Sequence, residues 1–373
     1  MRILISPDKF KGSLNAGEVA ENIAVGLRDV LPNETFDLVP IADGGEGTAD
    51  AICQARNGEW LTCNAHDALG RTITGRYVWL REQDMAVMEM SETAGGWRIA
   101  PRDRDPSSAS TYGVGEMLLA ASEHGAKHII VGLGGSVTND GGFGVARALG
   151  YRFVNRDDVP LNECVSDLLN LEHIIPPDNL ILPRVTAASD VKNPLLGTRG
   201  ATRTFGPQKG VALDRLELFE RSLARLAEVV ARDLDCDFRD VPGAGAAGGL
   251  GFGLLSFCKA NMRRGFEVVA EMLDLERAIQ RSDLVITGEG SLDMQTLEGK
   301  GPVGVAQLAR KLGKRVFAIV GCASEEATVH AVYDGIFALV RPPITRDDSI
   351  KRASILLRER ASELGATLRA NAS

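Results

Sequence analysis

Apolar and polar positions along this chain fall into short runs whose period changes from segment to segment. The apolar runs from Ile3 to Ser6 and from Asp37 to Ala42 are each followed by helical spacing, first across Ala16 to Val30 and then from Thr48. This βαβα order predicts parallel strands with helices on the sheet faces. From Trp60 to Met90 the rhythm changes. Thr72 to Leu80 and Met85 to Met90 follow one another across a short turn with no helix between them, which predicts an antiparallel element and the start of a second domain. A start signal at Pro106-Ser107-Ser108 predicts a helix from Ser110 to Glu123. After it come the apolar run His128 to Val131, a glycine-rich run, and helical spacing from Phe143 to Leu149. A polar, proline-punctuated connection from Asn155 to Pro183 precedes the apolar run Val185 to Ala188.

Leu216, Phe219, Leu223, Leu226 and Val230 recur at helical spacing and predict one amphipathic helix packed on a core. A glycine and alanine tract, Gly243 to Gly253, comes next, and helices are predicted from there to Gln280. From Asp283 the βαβ rhythm returns, with Leu284 to Thr287, a helix near Val303 to Leu312, Val316 to Val320, Ile336 to Val340 and a closing helix from Ile350. The two ends therefore read as one α/β domain interrupted by the middle of the chain. No internal repeat survives residue-by-residue comparison.

Composition narrows the classes of function. A chain of 373 residues, 44% of them hydrophobic, has room for about two domains with substantial cores. The formal net charge of −8 argues against non-specific binding to nucleic acid or to an anionic membrane surface, and no segment resembles a DNA-binding element. Cysteines stand at 53, 63, 164, 236, 258 and 322 without a CxxC pair, which predicts free buried thiols in a reducing compartment. The first residues run straight into a strand pattern without the regions of a signal peptide. No apolar stretch approaches the roughly 18 residues of a membrane span. A cytoplasmic protein that handles small molecules is expected.

Chemistry-bearing residues gather where predicted strands end and helices begin, the usual ligand-binding edge of a parallel α/β sheet. The run Gly132-Leu133-Gly134-Gly135-Ser136-Val137-Thr138-Asn139-Asp140-Gly141-Gly142 joins a strand to a helix, and its glycines and helix-start N–H groups suit an anion. It matches neither GxxxxGK[ST] nor GxGxxG, so it is no Walker A loop or dinucleotide fingerprint. Lys9 and Lys11 lie in Ser6-Pro7-Asp8-Lys9-Phe10-Lys11-Gly12-Ser13, where they suit phosphate or carboxylate, or form a solvated loop ahead of an Asn15 helix cap. Asp43 and Glu46 sit among glycines before Thr48, consistent with Mg²⁺ or with turn chemistry and a Thr48 cap. Asp190, in Ser189-Asp190-Val191-Lys192-Asn193-Pro194, is placed as a base, a metal ligand or a turn former. Phe205-Gly206-Pro207-Gln208-Lys209-Gly210 and the tract from Gly243 suit either a nucleotide clamp or close packing. Thr287-Gly288-Glu289-Gly290-Ser291-Leu292-Asp293, with Lys300 behind it, combines metal, phosphate and ribose contacts. Scarce histidines, scattered cysteines and the absence of GxSxG leave carboxylates, lysines and glycine loops, an inventory suited to phosphoryl transfer.

In this order, SPDKFKGSL, ADGGEGT, TYGVGE, GLGGSVTNDGG, SDVKNPLLG, GPQKG, PGAGAAGGLG and TGEGSLDMQTLEGKGP resemble the signature blocks of class I glycerate kinases across nearly the whole chain. Asp67-Ala68-Leu69-Gly70-Arg71 resembles a further block with Ala68 where relatives usually carry proline. The resemblance implies ATP-dependent phosphorylation of D-glycerate to 2-phosphoglycerate with Mg²⁺. It also implies an α/β fold in which a Rossmann-like parallel-sheet domain is interrupted by a second α/β domain with a mixed sheet, the active site lying in the cleft. The corresponding boundaries are 1–59 with 262–373 for the first domain and 60–261 for the insert. The implied catalytic residues are Asp190 as base, with Lys9 and Lys11 at the transferring phosphate or the substrate carboxylate. Arg71, Asp43, Ser136, Asn139 and Asp140 are assigned to substrate, and Gly134, Gly135, Gly288, Glu289, Gly290 and Lys300 to nucleotide. Asp43, Glu289 and Asp293 are assigned to Mg²⁺. A monomer or homodimer is expected. A Mg²⁺-dependent phosphatase or phosphomutase, a kinase giving 3-phosphoglycerate, and a small-molecule sensor on the same plan are the alternatives.

Overall fold

The computed structural model describes residues 1–292, 301–324 and 331–370. The chain divides into two compact units, one built from Met1–Asp43, Asp50–Arg56 and Phe266–Ser373, the other from Gly44–Ala49 and Asn57–Gly265. It begins the first unit with β1 (Arg2–Ile5) and β2 (Thr35–Leu38). The second unit carries β3 (Glu59–His66), β4 (Thr72–Leu80), β5 (Met85–Glu89), β6 (His128–Gly132), β7 (Arg152–Val154), β8 (His173–Ile175), β9 (Arg184–Ala188) and β10 (Asn261–Arg263). The chain then returns to the first with β11 (Leu284–Thr287), β12 (Ser291–Leu292), β13 (Arg315–Val320), β14 (Cys322–Ala323) and β15 (Gly335–Ala338).

The first unit's main sheet has the order β15-β13-β11-β1-β2, with every pairing parallel. Side chains alternate between the faces of a strand, and here both faces are apolar because both are covered. Ile3, Ile5, Leu284, Ile286, Phe317 and Ile319 meet Val19, Ile23 and Leu27 of helix Ala16–Arg28 and Leu356 and Leu364 of helix Ala353–Ala370. Leu4, Val285, Val316, Ala318 and Val320 meet Val269, Ile279 and Val303 from helices Gly265–Met272, Leu275–Arg281 and Gly301–Lys311. The second unit's sheet runs β10-β9-β6-β5-β4-β3, parallel from β10 to β5 and antiparallel through β4 and β3. The expected α/β class, one parallel and one mixed sheet, is the observed one.

Several elements differ from the sequence reading. β2 spans Thr35–Leu38 and not the apolar run to Ala42, because Pro40 has no N–H to give a sheet. The connection from Asn155 to Pro183 contains the 3₁₀ segment Val165–Asn170 and the strand β8, which pairs antiparallel with β7. The glycine and alanine tract enters the helix Ala246–Cys258, buried throughout, with Ala247, Gly248 and Gly249 at positive φ. β10 interrupts the helices predicted up to Gln280. The closing helix is two, Arg346–Lys351 and Ala353–Ala370. All six cysteines remain thiols, but only Cys258 is fully buried, and the burial pushes its thiol up to about 12. Among the described residues no helix is long and apolar enough to cross a membrane.

Helix Ala16–Arg28 begins with a capping box in which Asn15 and Glu18 each accept the other's backbone N–H at 2.9 Å, as the solvated-loop reading of that segment anticipated. It packs so tightly on the final helix that a Cβ at Gly26 would lie 2.2 Å from the Arg358 carbonyl oxygen. Alanine is the better helix former by about 1 kcal/mol, yet forcing two helices apart costs about 1–3 kcal/mol. Gly26→Ala is therefore expected to lower the urea midpoint. A raised midpoint would contradict this packing.

Candidate functional site

In the first unit the chain leaves β1 towards β2 on one side and β11 towards β13 on the other, so the ligand crevice of a parallel sheet belongs at the carboxyl ends of β1 and β11. The loops there, 6–13 and 288–291, border a cavity of about 280 Å³ lined by Lys9, Lys11, Glu289 and Gly290. These predicted residues are thus brought together. Arg346, at the start of helix Arg346–Lys351, lines the same cavity and was not anticipated. Ser13 Oγ donates to the Ile350 carbonyl at 3.1 Å, holding the lysine loop against that helix. Gly288 is glycine for a packing reason, since a Cβ there would meet the Ile319 carbonyl oxygen at 1.9 Å. The neighbouring chain segment is joined by Gly321 N–H donating to the Glu289 carbonyl at 2.9 Å.

Asp8 stands at the floor of this loop, with its N–H on the Gly288 carbonyl at 2.8 Å and its carboxylate accepting the Lys9 N–H at 2.6 Å. Burial and repulsion from Asp43 push its carboxyl up to about 7, against the pull of Lys9. Two carboxylates in mutual repulsion, one of them, Asp8, lining the cavity, form a donor set that a divalent cation relieves. Among the described residues no group of three or more His, Cys, Asp or Glu side chains is gathered. Mg²⁺ fits that economy, because it takes one or two carboxylates and completes its shell with water and phosphate oxygens. Asp293 and Lys300, the other predicted metal and nucleotide residues, lie outside the described residues.

In the second unit the parallel strands end in one row, Glu89 beside Gly132, Gly132 beside Ala188, and Ala188 beside Arg263. The chemistry-bearing loops leave the sheet from this row. Asp190 follows β9 and is 8% exposed, with Arg264 Nε 3.9 Å from its Oδ1. Glu89 accepts the N–H groups of Gly47 and Ala49 at 3.0 and 2.9 Å, which supplies the start of helix Thr48–Arg56 with the acceptor expected from Thr48. Thr48 Oγ1 is buried with no hydrogen-bond partner among the described residues. Loop 132–135 lies directly on this segment, and a Cβ at Gly134 would be 2.4 Å from the Gly45 Cα. Gly135 is exposed and left-handed at φ +73°.

Behind the loop lies Asp140, 1% exposed. Its Oδ2 accepts from Thr111 N–H at 2.9 Å, Thr111 Oγ1 at 2.8 Å and Gly144 N–H at 3.1 Å, and its Oδ1 from Gly142 N–H at 3.1 Å. Burial pushes the carboxyl up, opposed by these same bonds. Such a group organises a loop from within, and the substrate contact expected of Asp140 is not what this geometry offers. Asn139 is likewise fully buried, donating to Thr202 Oγ1 at 2.9 Å. Ser136 is half-buried and accepts a hydrogen bond at 2.7 Å from Lys209 Nζ. Arg71 sits in the tight turn between β3 and β4 with Nε on Asp67 Oδ2 at 2.5 Å, while Asp67 Oδ1 accepts the N–H groups of Leu69 and Arg71.

Sequence reasoning missed Glu89, Arg264 and Arg346, and read Lys209 only as part of the cluster 205–210, suited to a nucleotide clamp or to close packing. An acid at the end of the apolar run to Met90 was the one legible signal, for Glu89. The others acquire meaning only through the loops that fold against them.

The Glycerate kinase family model matches residues 3–369. The chain is 37% identical to "Glycerate kinase" of Bacillus subtilis (strain 168) over 99% of its length and 98% of that protein's. It is 38% identical to "Glycerate 2-kinase" of Escherichia coli (strain K12), again over 99% and 98%. A crystal structure assigned as glycerate kinase 2 from Salmonella typhimurium LT2 matches with a TM-score of 0.86 and 38% identity, covering 100% of this chain and 99% of that one.

Lys209 is 4% exposed, and burial lowers its ammonium to about 7 from 10.5, with the Asp140 charge acting in the opposite sense. Its two hydrogen bonds do not hold the charge, because an amine can donate both. Between about pH 7 and 10 the unfolded chain binds a proton that the folded chain lacks, so this residue makes stability rise with pH across that window. Lys209→Met is expected to flatten the rise in urea midpoint between pH 7 and 9. An unchanged pH slope in the variant would show that Lys209 keeps its proton when folded.

Proposed function

The chain belongs to the glycerate kinase family, and on that premise we propose that it transfers the γ-phosphoryl group of ATP to the 2-hydroxyl of D-glycerate, giving 2-phosphoglycerate and ADP. The observation that carries the reading is the clustering of anion-binding and carboxylate groups at the carboxyl ends of the parallel strands in each unit, in a chain whose relatives carry glycerate kinase names along their full length.

Phosphoryl transfer asks a protein for position and charge stabilisation more than for covalent chemistry. The nucleotide reading assigns the cavity beside Lys9, Lys11, Glu289 and Gly290 to ATP, with the two lysines as point charges for its phosphates. Asp8 and Asp43 would hold Mg²⁺, which when bound would neutralise charge on the phosphate oxygens, with Glu289 on the nucleotide side of the cavity. Asp190 is the base. It takes the proton of the glycerate hydroxyl as that oxygen bonds to the γ-phosphorus and the bond from phosphorus to the β-bridging oxygen breaks, releasing ADP. Arg264 stands beside it as a cation, its Nε 3.9 Å from the carboxylate. Gly134, Gly135 and Ser136 are the phosphate-facing part of the second unit's loop, and Arg71 is assigned to the glycerate carboxylate. Asn139 and Asp140 support that loop from within.

Two results are expected. Proton-coupled phosphorus NMR of the product from D-glycerate and ATP should give a doublet, since the carbon bearing the phosphate carries one hydrogen; a triplet would place the phosphate on C3. Asp190→Asn should lower kcat by about 10²–10⁴-fold, and near-normal turnover in that variant would remove Asp190 as the base.

A further inference from the structure

Lys209 ends the helix Ala201–Lys209 and lies beneath the glycine-rich loop. Its Nζ donates to Ser136 Oγ and to the Thr138 carbonyl, both at 2.7 Å. The Thr138 carbonyl is enclosed from the other side, where a Cβ at Gly248 would come within 2.0 Å of it. The same helix holds the loop a second time through Thr202, which accepts from Asn139. The loop therefore rests on this helix through Ser136, Thr138 and Asn139, while Val137 between them turns into the core.

The consequence concerns one hydrogen atom. A serine hydroxyl has a single O–H donor and two acceptor positions. With one acceptor position occupied by the buried lysine, the Ser136 hydrogen is directed away from Lys209. Ser136 is half-buried beside exposed Gly135, so one side of it faces solvent. A donor held from behind by a buried lysine, beside a glycine in the left-handed conformation that opens the loop to solvent, suits an anionic oxygen. We propose that Lys209 is a positioning residue that fixes the Ser136 hydroxyl as an outward donor to an anionic oxygen of a substrate, a phosphate oxygen of ATP or the carboxylate of glycerate. This rests on the kinase reading above and names how its loop binds.

A double-mutant cycle tests it, with KM for ATP and KM for D-glycerate measured separately so that the two sources of the anionic oxygen are told apart. Ser136→Ala is expected to raise one of the two KM values by about 10- to 100-fold, the scale of a lost hydrogen bond to a charged group. Lys209→Met should raise the same KM, and the double variant should be no worse than the poorer single one. Ser136→Thr, which keeps the hydroxyl, should restore the constant. Multiplying effects, effects on different substrates, or a Lys209→Met variant altered only in melting temperature would overturn the proposal. Should Lys209→Met not fold, Ser136→Ala against Ser136→Thr decides, since equal constants in the two would equally overturn it. Inorganic phosphate as a probe separates this inference from the kinase reading. If the donor meets phosphate, the ion's thermal stabilisation of the wild-type protein should be lost in Ser136→Ala even when no glycerate is turned over; a retained phosphate shift with a raised KM for D-glycerate assigns the donor to the carboxylate, and a retained shift with both KM values unchanged overturns the proposal.

Discussion

The geometry of the second unit depends on a single buried carboxylate. A charge removed from water must be met by donors, and Asp140 collects four of them from Thr111, Gly142 and Gly144. Those donors belong to the entrance of helix Tyr112–Glu123 and to the entrance of helix Phe143–Ala148. One side chain thus sets where two helices begin and where the loop between β6 and the second helix must run. The outer part of that loop, from Gly134 to Ser136, inherits its position from this arrangement and from Lys209 beneath it. The expectation that Asp140 meets substrate gives way to a role one layer further in.

The first unit meets a related demand by close backbone packing. Loop 288–290 passes so near the end of β13 that no side chain fits at Gly288, and its carbonyls receive the N–H groups of Gly321 and Cys322. The lysine loop is held by Asp8 against the same segment. Glycine at such positions answers to the neighbouring chain. Lys9, Lys11 and Glu289, by contrast, line the cavity with their side chains.

Parallel strands buried on both faces are nearly continuous apolar runs, which is why β1, β6, β9, β11 and β13 were legible in the sequence. The half-buried edge strand β2 lacks such a run, and the apolar residues beyond it are cut off by Pro40. β7, β8 and β10, three residues each, are too short to show a period. Candidate residues at strand ends were legible as residue types, because glycine, lysine and acid cluster there. Their partners were not. That Glu89 caps a helix forty residues before it, or that Lys209 reaches back to Ser136, is decided by tertiary folding, which local spacing does not encode.

The proposed activity stands or falls on a substrate-dependent transfer. The most direct measurement is ADP formation in a coupled assay with saturating ATP and Mg²⁺ and limiting D-glycerate. The account predicts that ADP appears in proportion to the D-glycerate supplied and that production ceases when the glycerate is consumed. ADP formation indifferent to D-glycerate, or release of inorganic phosphate from 2-phosphoglycerate without nucleotide, would contradict it.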